Sequence, residues 1–568
     1  MASLVELVRF LQGASRGISR SRLKIVVVLV SGVASGLASA GLVALINEAL
    51  DTPALERGEL IVPFLAGCLA LPAARALSSI VLIRLTQGMV YELRMGLSRQ
   101  ILATPLRRLE KLGSPRLLAI LTDDVGEVAA ALANIPLLLM HTTVVMGLLG
   151  YLGWLSWRLL LVVLVFVVIG LMSYQLPIRH GLRHYRLRRE RWDLLFKHFE
   201  GLTQGNKELK MHRKRRHEFL QAQLEPVAAA YRSHSVAGGS IYAWANSWGQ
   251  ILFFVLIGLL LFVLTGVEGD TSIITGYTLA ILYMMTPLDV VLQMFPGLSR
   301  AGVGVEKIQA LGTQLEESRS PEVEGGERVE ISRLDLVGVT HVFQGENEDE
   351  KFILGPIDLT VTPGELVFVI GGNGSGKTTF AKLLTGLYAA ESGEIRVDGE
   401  PVTDGSRDAY RQLFTTVFSD FYLFESLLGL DADDLDERAQ LYLSQLHLAS
   451  KLQVSDGRLS TLNLSQGQRK RLALVTAFLE DRPIYLFDEW AADQDPNFKR
   501  VFYHEILPAL RRRGKVVLVI SHDDRYYDTA DRIVKLEAGT IIYDGPSEGF
   551  LGSPRVDESL AHAPDSRA

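Results

Sequence analysis

The chain has 568 residues, room for several domains, of which 48% are hydrophobic and 21% charged. Its formal net charge is only −6, so bulk electrostatics give no reason to expect a polyanionic partner such as nucleic acid. A single cysteine, Cys68, excludes an intrachain disulfide and with it a secreted disulfide scaffold.

Hydropathy divides the chain into an apolar first part and an alternating second part. Runs of about 20 apolar residues, enough for a ~30 Å hydrocarbon core, lie near 25–47, 60–83, 129–152, 159–178, 243–265 and 272–295. They predict an all-helical membrane domain over residues 1–315 with six spans. The first run follows Arg16, Arg20, Arg22 and Lys24 and contains Ala38-Ser39-Ala40, as a cleaved leader would, but it continues to Ile46 and so reads as a span. Arg and Lys crowd 84–116 and 183–216, whereas the other loops carry Asp51, Glu56, Glu59, Glu268 and Asp270. The positive-inside rule then places both termini in the cytoplasm.

The charged stretches 87–127 and 181–240 read as membrane helices prolonged into the cytosol, each turning through a short crossover at 111–118 and 201–209. The cluster Lys210, Arg213, Lys214, Arg215 and Arg216 has no interleaved aromatic platform; it reads as a solvated, lipid-proximal face rather than a nucleic-acid patch. Arg75 and Asp289 lie about 15 and about 17 residues into spans that both enter from the outside, which sets them at similar depth. Ionisable groups there need partners, so a pair bordering a translocation cavity is expected, within or across subunits. The alternative is that Arg75 snorkels to the cytoplasm and Asp289 lies below the membrane. His141, Asn246, Trp248, Gln250 and Gln293 fit a polar cavity or ordinary interhelical hydrogen bonds equally well.

A linker at 316–328, rich in Glu, Gly and Ser and containing Pro321, leads to a second domain over 329–552; the polar tail 553–568 reads as disordered. Strand-like runs alternate with helical ones here, as in a parallel sheet covered by helices. LVFVIGGNGSGKTTF (366–380) has the order strand, Gly-rich loop, helix that defines an α/β P-loop NTPase. Gly371, Gly372, Gly374 and Gly376 let backbone N–H groups turn around phosphates, with Asn373, Ser375 and Thr379 in the same ATP-binding stretch. Lys377 reaches the terminal phosphates and the Thr378 hydroxyl suits Mg²⁺. IYLFDE ends a buried strand in Asp488, placed for the Mg²⁺ shell, and Glu489, placed to polarise an attacking water. His522 follows the strand VVLVIS, where an imidazole could contact a γ-phosphate and orient Glu489.

With LNLSQGQRKR (462–471) between the phosphate loop and the paired acids, this order resembles the nucleotide-binding domain of ABC transporters, and the whole chain resembles a half-size ABC exporter. The resemblance implies that Phe343 stacks on adenine and that Ser465, Gln466, Gly467 and Gln468 close over the ATP of a second, identical subunit. It also implies that Asp495 links the two sites across that homodimer. More narrowly, LSQGQRKRLAL, FDEWAADQDP, VFSDFYLF and FILGPIDL resemble exporters of cyclic peptides and peptide siderophores: the pyoverdine-type, syringomycin-type and microcin-exporting transporters of Gram-negative bacteria. The implied function is ATP-driven export of a peptide-like cargo across a bacterial inner membrane. A lipid flippase of the same architecture, or a membrane-tethered ATP sensor without turnover, stands as the alternative.

Two departures stand out. Ser419 occupies the position of a glutamine that in most relatives contacts Mg²⁺ and the membrane domain, so coupling is expected to use Ser419 through a water or to fall to Asp420. SDGRLSTLN, before the signature, lacks the Glu-Gly pattern many exporters use to contact the opposite membrane domain.

Overall fold

The computed structural model describes residues 21–53, 58–264, 271–316, 330–344, 351–430 and 433–551. Glu316 ends the last membrane-unit helix, and the rest of the linker and the tail lie outside the described residues. The chain forms two compact units: the residues up to Ser98 together with Leu117–Gly312, and Arg99–Arg116 together with the chain from Thr313 onward.

The first unit is built from long helices: α1 (Ser21–Asp51), α2 (Gly58–Ala103, most of it in this unit), then, beyond α3 (Leu106–Leu112) of the second unit, α4 (Val125–Leu155), α5 (Trp157–Gln204), α6 (Glu225–Leu259) and α7 (Thr271–Glu316). Among the described residues, five helices are long and apolar enough to cross a membrane, and α5 opens with a shorter apolar stretch, Trp157–Gly170. The most apolar window of α2 is not buried at all within the chain. Val62 and Leu69 on it are each 74% exposed, a surface that water would not tolerate and lipid would.

The helix contacts follow from residue size. Ser35, Ser39 and Ala40 of α1 are buried, and a Cβ at Gly36 would lie 2.5 Å from Thr143 of α4, so the helices meet along a small-residue stripe. The Ala-Ser-Ala of the first span belongs to this packing face. Deeper in, Leu148, Leu152, Leu256, Leu260, Tyr277 and Ile281 form the core. The buried Tyr277 hydroxyl shares its proton between the carbonyls of Leu152 (2.7 Å) and Ser156 (2.5 Å), which also accept the backbone N–H groups of Ser156 and Leu160, so it ties α7 to the end of α4.

The expected Arg75–Asp289 pair is not formed within the chain. Asp289 accepts from Gln293 Nε2 (2.7 Å), one turn along α7, while Arg75 lies in electrostatic range of His141 on α4 and its Nε is buried without a partner among the described residues. Helix rotation decides this; equal depth says nothing about which face a side chain occupies. Trp248 makes the plain interhelical bond, its indole N–H donating to Ser173 Oγ (3.1 Å).

The second unit carries two main sheets. Strands β1 (Leu334–Gln344), β2 (Lys351–Val361), β4 (Ser392–Val397) and β5 (Glu400–Pro401) form an antiparallel sheet in the order β2-β1-β4-β5. The larger sheet uses β3 (Leu366–Ile370), β6 (Phe414–Val417), β9 (Ile484–Asp488), β10 (Val516–Ile520), β11 (Arg532–Glu537) and β12 (Thr540–Pro546) in the order β12-β11-β3-β10-β9-β6. All its pairings are parallel except that of β12 with β11. β3, β9 and β10 are buried at every residue, which is why they read as unbroken apolar runs. Val367 and Val369 of β3 enter one core with the antiparallel sheet and helix α8 (Lys377–Leu384). Leu366, Phe368 and Ile370 enter the other, against helix α9 (Gln466–Glu480). The stretch before the signature folds as a hairpin, β7 (Val454–Ser455) with β8 (Arg458–Leu459), whose tip amides at Asp456 and Gly457 donate to the Asp436 carboxylate.

Candidate active site

Strand order assembles the site. β3 lies between β10 and β11, and β10 pairs next with β9, Ile520 standing opposite Asp488, so the loops after β3, β9 and β10 leave the same carboxyl edge of the sheet.

The loop after β3 needs its glycines for space. Gly376 has φ +99°, and a Cβ on it would lie 2.9 Å from the Phe352 ring. Lys377 is buried and donates to the carbonyls of Gly371 (3.0 Å) and Gly372 (2.9 Å). Burial pulls its ammonium below the usual lysine range, and the nearby Glu489 and Asp488 oppose that shift. Ser375 Oγ is buried without a hydrogen-bond partner among the described residues, while Asn373 is exposed and Thr379 half-buried.

Asp488 is fully buried. Its Oδ2 accepts from Thr378 Oγ1 and from Ser419 Oγ, each at 3.3 Å, so Ser419 points at the same oxygen as the phosphate-loop threonine. Its Oδ1 has no hydrogen-bond partner among the described residues. Desolvation first, then the Glu489 charge, pushes the Asp488 carboxyl above the usual carboxylate range despite these hydroxyls. A buried carboxylate with an unused oxygen, two hydroxyls beside it and an orphaned loop hydroxyl form a donor set that fits a phosphate-bound Mg²⁺.

Glu489 has φ +50°, a left-handed conformation that turns the chain sharply at the end of β9. Its Oε1 lies 3.0 Å from His522 Nε2, both side chains being partly exposed. This is hydrogen-bond reach between a candidate base and a candidate orienting group.

Ser465 caps α9 in a reciprocal capping box: the Gln468 amide donates to Ser465 Oγ (3.4 Å) and the Ser465 amide to Gln468 Oε1 (3.0 Å). Such boxes contribute about 1 kcal/mol and present free N–H groups at a positive helix end. Gln466 is exposed there, and the Gly467 carbonyl accepts from Gln494 (3.0 Å). Among the described residues, the hydrogen bonds of Ser465–Gln468 outside α9 run to Gln494; none reaches the phosphate loop. Asp495 caps the next helix through the Phe498 amide (3.0 Å) and accepts from Arg471 (2.6 Å); those two bonds, against slight desolvation, hold its carboxyl below the usual range. Phe343 is 43% exposed on β1, directly opposite Phe352 of β2.

Sequence reasoning missed Lys470. It lies on the buried face of α9 with Leu474 and Phe478, donates to the Glu489 carbonyl (3.0 Å) and pairs with Asp493 (2.7 Å). The Trp490 indole in turn donates to the Lys470 carbonyl (2.8 Å), and its ring stacks on Phe502 at 4.3 Å. The signal was available: a lysine in phase with an apolar helical stripe must have a buried partner. Also missed were the contacts of α3, whose Glu110 pairs with Lys382 (2.8 Å) and accepts from Tyr388, and whose Arg107 bonds Glu391 and the Val342 carbonyl, each at 2.8 Å.

Residues 23–288 match the family model of the ABC transporter transmembrane region and residues 354–492 match the ABC transporter family model. The chain is 36% identical to the ATP-binding protein SyrD of Pseudomonas syringae pv. syringae over 529 residues, 91% of this chain and 93% of the relative. It is 27% identical over 532 residues to an ATP-dependent lipid A-core flippase of Hahella chejuensis, covering 88% of this chain and 87% of the relative. Among solved structures, a bacterial Atm1-family ABC exporter with ATP bound is similar in fold, with a TM-score of 0.70 at 17% identity over 94% of this chain and 96% of that one.

Proposed function

Because the chain belongs to the ABC transporter family, as a half-size exporter joining one membrane domain to one ATP-hydrolysing domain, we propose that two identical copies export a modified or cyclic peptide, such as a siderophore or its precursor, across a bacterial inner membrane. The coarse activity is that of its family: an ATP-driven, multi-pass membrane exporter.

The observation that carries the dimeric reading is the division of the ATP site. Lys377, Thr378, Asp488, Glu489 and His522 sit at one sheet edge, whereas the Ser465–Gln468 cap is tied to Gln494 and bonds nothing in the phosphate loop. A second chain supplies the cap, its helix N-terminus facing the γ-phosphate. The phosphate-loop amides and Lys377 hold the phosphates, and Phe343 stacks on adenine. Thr378, Asp488 and Ser419 are the residues that would hold Mg²⁺, which when bound offsets phosphate charge. Glu489 takes the proton of the attacking water, His522 keeps its carboxylate oriented, and Asp495 links the two sites across the dimer. Six spans with both termini in the cytoplasm complete the arrangement.

The peptide cargo is supported by the Ser-Gln-Gly-Gln signature with Trp490 and Ala491-Ala492-Asp493-Gln494-Asp495, and by likeness to SyrD along nearly the whole chain. Likeness to lipid A-core flippases favours a second reading, a lipid flippase. Reconstituted vesicles separate the two. ATP- and Glu489-dependent accumulation of a cyclic peptide is the expected result; ATPase stimulation by lipid A-type lipids with no peptide uptake would replace the exporter with the flippase.

A further inference from the structure

A cavity of about 190 Å³ lies among α5, α6 and α7 of the first unit. Its walls are mainly apolar, with Phe166, Phe253 and Leu256, and its polar groups include Asn246, Gln250 and Asp289. Among the described residues that line it, Asp289 is the only ionisable one. Its sole hydrogen bond among the described residues comes from the neutral Gln293 amide, and within the chain Arg75 does not pair with it. A carboxylate at membrane depth without a cation is costly, and such groups mark sites where a charge arrives from elsewhere. On the topology proposed above, Asp289 lies late in an inward-running span and Asn246 and Gln250 early in an outward-running one. The polar end of the cavity thus falls in the half of the membrane nearer the cytoplasm, from which cargo is loaded.

We propose that this cavity is a cargo subsite that takes a positively charged amine or guanidinium borne on an otherwise apolar or amphipathic peptide, with Asp289 as the counter-charge. The proposal rests on the peptide-export reading and narrows it. Drug-sized sites span roughly 300–1,000 Å³, so this space admits one side chain of the cargo rather than the whole molecule. A phosphate-bearing head group would meet like charge at Asp289 and is disfavoured. Gly249 lines the wall, and a Cβ there meets nothing within 4 Å, so a larger side chain can be placed at this position.

The test uses the full-length protein in inside-out vesicles with two synthetic cyclic peptides, identical except that one carries a free lysine amine and the other the acetylated amine. For the wild type, acetylation is expected to raise the KM for ATP-driven uptake by at least about tenfold, the scale of a charge-assisted hydrogen bond. Asp289→Asn should erase that preference, Asp289→Glu should keep it, and Gly249→Leu should raise the KM for both peptides by filling the space. Equal handling of both peptides by the wild type, or a preference that survives Asp289→Asn, overturns the charged subsite and leaves peptide export standing. If neither peptide moves while lipid A-type lipids do, the export reading itself falls and the subsite with it. Should Asp289→Asn fail to assemble, the wild-type comparison of the two peptides decides alone.

Discussion

The two units solve opposite problems with charge. In the ATP-binding unit several charged candidate residues are held by named partners: Lys377 by loop carbonyls, Asp488 by two hydroxyls, His522 by Glu489, Lys470 by Asp493. In the membrane unit the packing is done by small and apolar residues, and the ionisable Arg75 and Asp289 are left unpaired with each other. A site that performs one fixed reaction gains from geometry locked in advance. A cavity that must bind and then release gains from a charge left for the cargo to neutralise.

The largest effect expected from breaking this contrast is at Glu489. Glu489→Gln should lower phosphate release by at least about a hundredfold, within the usual range for a general base, while ATP binding persists. Undiminished activity in that variant would favour the ATP-sensor alternative.

Lys470→Met tests whether the second-unit network is structural as well as catalytic. Removing one partner of a buried pair costs about 3–5 kcal/mol, but Asp493 is 46% exposed and can return to water. A loss nearer about 1–2 kcal/mol is expected, seen as a Tm lower by a few degrees together with slower ATP turnover. Asp493→Asn alone should slow turnover too, because Lys470 would then be the stranded charge.

Asp488 should show the reverse trade. Its carboxyl titrates above the ordinary range because folding desolvates it and sets Glu489 beside it. The unfolded chain therefore gives up this proton at lower pH than the folded one, and stability falls as pH rises from the unfolded value through the raised folded value. Asp488→Asn should raise the Tm of the nucleotide-free protein at neutral pH and flatten that part of its pH dependence, while abolishing Mg²⁺-dependent hydrolysis. A lower Tm at neutral pH would contradict this account.

The smallest effect is expected at Ser419. Its hydroxyl is one of two on Asp488 Oδ2 and the Thr378 hydroxyl keeps the other, so Ser419→Ala should reduce cargo-stimulated ATPase only by roughly two- to fivefold, the low end for one intramolecular hydrogen bond. An unchanged rate would remove Ser419 from the coupling path and leave Asp420 as the candidate.

The same contrast explains which features were legible in the sequence. The phosphate loop, the Asp488-Glu489 pair and His522 could be read because each stands at the end of an apolar strand, and parallel strands bring their carboxyl ends to one edge. The long apolar helices could be read from hydropathy, and five of them among the described residues are long and apolar enough to cross a membrane. Lys470 with Asp493, Glu110 with Lys382 and the cavity at Asp289 could not, since each depends on the rotation of a helix about its axis or on residues far apart in the chain. The Arg75–Asp289 pair is not formed within the chain for that reason: depth comes from counting residues, whereas facing does not.

Phe352 adds a final consequence. It stands opposite Phe343 on the antiparallel sheet, and its ring closes the space above Gly376 of the phosphate loop. One hairpin thus offers an exposed aromatic face beside the site and presses another onto the loop that turns around phosphate. A base resting on Phe343 would load the same lever that steadies the loop, so nucleotides with the same triphosphate but different bases should differ in how firmly that triphosphate is held. Base preference in this protein would then register as a difference in phosphate grip.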